Sequence, residues 1–119
     1  MSQSQNKKGI NGSLAEPVLG QKLNYVFGKA SGRQHNLDRS LGMLRQLKSI
    51  GIHDTPTSRA DMATHLKQVF HDQNSIASQN GDWIKRESLL AGPGGFLKVE
   101  STWKGPQLIT IVLKGGKGG

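Results

Sequence analysis

The chain has 119 residues, enough for one domain with one modest core and too few for a second. Sixteen Lys and Arg stand against eight Asp and Glu, a formal net charge of +8, and only 34% of residues are hydrophobic, which points to a polyanionic or acidic partner. With no cysteine there is no disulfide framework, thiolate nucleophile or sulfur-built zinc site, and no stretch approaches the roughly 18 apolar residues of a membrane span.

The opening MSQSQNKKG has two lysines but lacks the apolar run of a signal peptide, so no export signal is expected in the text as it stands. Residues 1–16 are rich in Ser, Asn, Gln, Gly and Lys and read as a tether or cloning remnant ahead of a domain spanning 17–115. From Pro17, VLGQKLNYVF places Val18, Leu19, Leu23, Val26 and Phe27 at mixed three and four spacings, which predicts a short helix stopped at Gly28 and again at Ser31-Gly32.

The strongest helix signal runs from Leu37 to Ile50, where Leu37, Leu41, Leu44, Leu47 and Ile50 recur every three or four residues. Asn36 is placed to cap its start, and Gly51 fits the left-handed position after its end, with Ile52 folding back onto Leu47. A second helix is expected from about Arg59 to Asp72. Ser58-Arg-Ala-Asp61 resembles a capping box there, and Met62, Leu66, Val69 and Phe70 form its stripe.

The pattern then changes. DWIKRESLL, GFLKVESTW and QLITIVLKG read as three strands divided by turns at AGPGG and KGP, with a fourth edge strand suggested near Ile76 or before Gly81. Helices first and turn-linked strands afterwards predict an α+β domain, its N-terminal helices packed on an antiparallel sheet of three to five strands. The closing residues 116–119 are expected to form a flexible tail.

Strand alternation assigns side chains to faces. Leu97, Val99, Ser101 and Trp103 share one face of the middle strand, and Ile109, Ile111 and Leu113 form the apolar row of the last, with Thr110 opposite. Arg86 and Ser88 share a face with Ile84 and Leu90. The bland reading of Ser101 and Thr110 is small hydroxyls filling tight positions, of Trp103 core packing, and of Arg86 a solvated strand face.

Among four histidines, His35 is the most suggestive, because it stands in GKASGRQHN beside Lys29 and Arg33 with a helix start directly after it. Free N–H groups at a helix start favour a phosphate, and an imidazole moves protons near neutral pH. His53 reads as a turn residue. His65 and His71 lie six residues apart, on different helix faces, with no partner to complete a metal set. The scattered carboxylates argue against a two-metal nuclease or a glycosidase dyad, and GPGG is a lone glycine turn without the Lys-Ser/Thr of a phosphate-binding loop. A metal-free reaction on RNA suits the inventory, since RNA supplies its own 2′-hydroxyl nucleophile.

With these residues laid out, the text from about Gln21 to Gly115 resembles the C-terminal toxin domains of contact-dependent inhibition and MafB-type polymorphic toxins. KLNYVFGKASGRQHNLDRSLGMLRQLKSIGIHD, RESLLAGPGGFLKVESTW and LITIVL carry the resemblance. Such domains resemble the barnase, colicin and RelE-like ribonuclease superfamily, metal-independent and often cutting transfer RNA. Colicin D-like anticodon nucleases use a histidine preceded by basic residues and a Ser-x-Trp on a strand, roles that would fall here on His35 with Lys29 and Arg33 and on Ser101 and Trp103. The basic residues are spread over GKASGRQH rather than crowded against the histidine, a departure from that pattern.

The expected catalytic set is therefore His35, Arg86, Ser101 and Thr110. Lys29, Arg33, Lys98 and Trp103 would bind substrate, Trp103 by stacking a base, with neither metal nor cofactor. The resemblance further implies export as the end of a large surface or secreted protein, action in the cytoplasm of a target cell, and an acidic cognate immunity protein; it leaves room for an activating factor in that cell. Two alternatives stand beside it, a nuclease on another RNA or DNA and a basic RNA-binding module without catalysis. Convergence of His35, Arg86, Ser101, Trp103 and Thr110 on one cleft would favour the enzyme, and scatter the binding module.

Overall fold

In the computed structural model, which describes Leu19 and residues 21–115, three helices lead into a four-stranded antiparallel sheet, the α+β order expected. Expectations for residues 1–16 and 116–119, and for Pro17 and Val18, lie outside the described residues.

Helix α1 covers residue 19 and residues 21–26, and it buries Leu19 and Val26, with Phe27 just beyond its end. Helix α2 spans Gln34–Ser49 and so begins before the expected Asn36 cap. Arg33 is the residue at its start, with no side-chain cap, and Leu37 N–H already bonds to the Arg33 carbonyl at 3.1 Å. The loop ahead of it is fixed instead by the buried Ser40, whose hydroxyl donates to the Tyr25 carbonyl and accepts from Ala30 N–H. That tertiary anchor outweighs the local capping preference, so His35 and Asn36 become part of the first helical turn.

The other end of α2 follows expectation. Gly51 has φ +84°, its N–H bonds to Lys48 O at 2.9 Å, and Ile52 N–H reaches Leu47 O at 2.9 Å. This is the paired closure that only a residue free to adopt positive φ accommodates well. The face α2 buries is Ser40, Met43, Leu47 and Ile50, whereas Leu41, expected in the stripe, is 45% exposed.

Helix α3 spans Pro56–Phe70, starting three residues earlier than expected and ending two sooner. The cap is Thr55, whose hydroxyl accepts from Ser58 N–H at 3.0 Å, and not Ser58 itself. Pro56 explains the shift, since its fixed φ and missing N–H suit the first helical position. Arg59 joins this helix to what precedes it, ion-paired to Asp54 at 2.7 Å, donating to Asn24 Oδ1 at 2.6 Å and lying over the Phe27 ring. A 3-10 turn at Gln73–Ser75 leads into the sheet.

Strands β1 (Ile76–Asn80), β2 (Trp83–Gly92), β3 (Gly95–Lys104) and β4 (Gln107–Lys114) pair in sequence order. Two-residue turns join them, Gly81-Asp82, Pro93-Gly94 and Gly105-Pro106. Gly105, at φ +58° ahead of a proline, supplies the backbone that a tight hairpin needs at its first central position. The suggested fourth edge strand is thus β1.

One sheet face packs on the helices and buries Leu90, Leu97, Val99, Trp103, Leu108, Ile111 and Leu113. The expected row of β4 is altered at its start. Thr102 pairs with Thr110 but Trp103 pairs with Leu108, so Ile109 is the extra residue of a bulge and Leu108 takes the inward place. The opposite face is left open, with Trp83, Leu89 and Phe96 46%, 67% and 60% exposed.

Candidate functional site

Three residues expected in the site lie in the core. Ser101 and Trp103 are 0% and 1% exposed, and Trp103 Nε1–H donates to Ser101 Oγ at 2.9 Å while the indole packs against Phe70 at 5.0 Å between ring centroids. The indole therefore presents no free face for a base, and the Ser101 hydroxyl serves to satisfy a buried N–H.

Arg86 is 6% exposed, not on a solvated face. Its Nη1 donates to the Val69 and Asp72 carbonyls, both at 3.1 Å, and to Ser75 Oγ at 3.0 Å, and the guanidinium lies over Phe70. It thus closes the end of α3, placing a cation where the helix dipole is negative, and burial pulls its pKa down. Its Nε has no partner among the described residues. Lys98 lies on the open sheet face in an ion pair with Glu87 at 3.4 Å.

His35 and Thr110 are solvent-exposed, as are Lys29 and Arg33. The five residues whose convergence was the test of a catalyst thus do not share one cleft: three are internal and two are outside. What does gather around Thr110 is a cleft of about 310 Å³ between α1, α2 and β4, lined by Gln21, Lys22, Tyr25, Asn36, Arg39 and Thr110 with Ile109 and Ile111. Asn36 belongs to the first turn of α2, directly after His35, which precedes this wall in the chain and is not itself among the lining residues. Gln34 and His35, as the first two helical residues, have no intrahelical acceptor for their N–H groups. The cleft combines two cations, a phenol, two amides and a hydroxyl beside a helix start, a donor set suited to a phosphate.

Tyr25, Lys22 and Arg39 are not singled out by the sequence reading, and Asn36 enters it only as a helix cap. A signal was present: Lys22 and Tyr25, and Asn36 and Arg39, are each three residues apart and so share a helix face. Reading each helix only for its apolar stripe passed over them.

The other histidines lie elsewhere. His65 Nε2 is 2.9 Å from Ser88 Oγ between α3 and β2, and burial lowers its pKa. His53 and His71 are exposed. Among the described residues no three His, Asp or Glu side chains are grouped to hold a metal ion, and no helix is long and apolar enough to cross a membrane. A second cavity, about 250 Å³, lies by Met62, Leu90 and Pro93 with Asp61 as its one charged group.

No family model matches the sequence, and none of the curated proteins does. Among solved structures, the chain is similar to one in a contact-dependent growth inhibition toxin and immunity protein complex from Klebsiella pneumoniae 342. The two are 33% identical with a TM-score of 0.66, over 78% of this chain and 94% of that one.

Proposed function

The chain belongs to the family of contact-dependent growth inhibition toxins, and on that premise we propose that it is a ribonuclease that cuts transfer RNA without a metal ion. The observation that carries this reading is the cleft between α1, α2 and β4, where Lys22, Tyr25, Arg39 and Thr110 line a common space beside the first turn of α2; in this reading His35, from the same turn, reaches the bound RNA. The fold reading extends to the barnase, colicin and RelE-like superfamily.

In the proposed reaction the RNA provides the nucleophile. A 2′-hydroxyl gives its proton to the neutral His35 imidazole as its oxygen bonds to phosphorus. The bond from phosphorus to the 5′-oxygen breaks, and that oxygen takes a proton from the Tyr25 phenol. The products are a 2′,3′-cyclic phosphate and a 5′-hydroxyl end, and solvent returns the proton from imidazolium to phenolate. Lys22 and Arg39 offset the charge that builds on the non-bridging oxygens, Thr110 donates to one of them, and Lys29 and Arg33 guide the backbone inward.

By analogy with the complex, an acidic immunity protein neutralises the toxin by covering this basic cleft, with opposite charges speeding the encounter. The domain is delivered as the C-terminal part of a larger exported protein and acts in the cytoplasm of the target cell. Burial of Arg86, Ser101 and Trp103 favours a second reading, an RNA-binding module without catalysis.

One experiment separates the two. Purified protein is incubated with total bacterial RNA in EDTA beside His35→Ala, and the products are run on a denaturing gel. Discrete transfer-RNA fragments from the wild type alone are expected. Intact RNA in both lanes favours the binding module, and equal cutting by His35→Ala removes His35 from the chemistry.

A further inference from the structure

The open face of the sheet is not uniform. Cross-strand pairing sets Trp83 beside Lys104 and Gln107, and in the next row Lys85 beside Thr102 and Thr110. The following row sets Glu87 beside Glu100, and ion pairs hold these to Lys98 at 3.4 Å and Lys114 at 3.0 Å in the row after it. Beyond them stand the exposed apolar Leu89 and Phe96. The carboxylates of the middle of the face are thus held by Lys98 and Lys114, whereas at one end neither Lys85 nor Lys104 makes a close ion pair among the described residues; Lys85 acts on Glu100 only at longer range, and Asp82 lies in the adjoining turn.

At that end the Lys104 ammonium lies 5.5 Å from the centroid of the Trp83 ring, which is 46% exposed. Thr110 borders both this end and the cleft between α1, α2 and β4. A path thus leads from the cleft over the β4 edge, through Thr102, to Lys85 and the Trp83 ring. It crosses two inter-strand spacings, about 10 Å.

We propose that the Trp83, Lys85, Lys104 and Thr102 end of the sheet is a binding subsite for single-stranded RNA, with a base stacked on Trp83 and its flanking phosphates on Lys85 and Lys104. An exposed indole with two lysines beside it that no close ion pair engages is the chemistry that holds an unstacked nucleotide, whose two demands are a π surface and positive charge along the backbone. The paired Glu87 and Glu100 bound the subsite, because a phosphate beyond them would meet carboxylates. Trp83 thereby takes the stacking role that the buried Trp103 cannot fill. The inference deepens the ribonuclease reading and rests on it for the identity of the polyanion.

The test uses a short fluorescein-labelled 2′-O-methyl oligoribonucleotide, which lacks the attacking hydroxyl and reports binding apart from cleavage. Trp83→Ala is expected to weaken binding roughly 5- to 150-fold, the equivalent of the ~1–3 kcal/mol that alanine substitution costs a stacked base, and Trp83→Phe to restore most of it. Lys85→Gln with Lys104→Gln is expected to flatten the dependence of affinity on salt. No binding by the wild type, or equal affinity of wild type and Trp83→Ala, overturns the proposal. The ribonuclease reading is scored separately on the RNA gel: cleavage by the wild type together with unchanged Trp83→Ala affinity sinks the subsite and leaves the enzyme standing.

Discussion

Ser101 separates a structural hydroxyl from a catalytic one. Its oxygen accepts the indole N–H of Trp103 at 2.9 Å, and both side chains are withdrawn from water. Ser101→Ala removes the acceptor and leaves that N–H buried with no replacement, a loss of roughly 1–3 kcal/mol. In a domain of this size each 1 kcal/mol lowers the melting temperature by about 4–8 °C, so a fall of about 4–24 °C is expected. Urea denaturation of the wild type, Ser101→Ala, Trp103→Phe and the double variant closes a cycle. Because phenylalanine has no N–H to satisfy, Ser101→Ala should be milder in the Trp103→Phe background by about 1–2 kcal/mol. RNA cleavage per folded molecule should be unchanged in Ser101→Ala. A variant that melts like the wild type but no longer cuts RNA would refute this reasoning and return the hydroxyl to the chemistry.

Arg86→Met should cost about 1–3 kcal/mol in urea denaturation, since it withdraws three hydrogen bonds from the end of α3 while Ser75 still bonds to Val69 O and Asp72 O. Its RNA cleavage per folded molecule should match the wild type; selective loss of cleavage would place the guanidinium at the phosphate. A pH series tests His65. Its folded pKa lies below the ordinary 6.5, so the unfolded chain takes up a proton that the folded one refuses. The stability from neutral His65 is therefore complete above about pH 6.5 and declines as the pH falls from there toward the folded pKa. Equilibrium denaturation across that window should show a slope that His65→Gln removes, and an unaltered slope in His65→Gln would show that His65 does not set it.

How much could be read beforehand differs between elements. The Gly51 closure of α2 and the buried row Leu97, Val99, Ser101 and Trp103 were legible because each depends on local geometry: one residue that tolerates positive φ, and a period of two. The starts of α2 and α3 were misplaced because the deciding partners lay outside the window considered, Ser40 holding the Tyr25 carbonyl in one case and Pro56 behind Thr55 in the other. The β4 bulge was invisible for the same reason, since only pairing with β3 reveals that Ile109 is an extra residue. Within the candidate site, His35 and Thr110 were marked by residue type. Tyr25 and Arg39 acquire meaning only when two helices and an edge strand enclose a common space.

The sequential order of the four strands bears on how the chain reaches its folded state. Each strand pairs only with its neighbour in sequence across a two-residue turn, so the sheet can close one hairpin at a time, each on the microsecond scale. The longer closures tie the helices to the sheet, through the shared core and through contacts such as Gly94 N–H on the Ile50 carbonyl at 2.8 Å and Phe70 on Trp103. Local pairing of this kind favours fast closure of the sheet, whereas the contacts between helices and sheet carry the loop-closure cost of the longer separations.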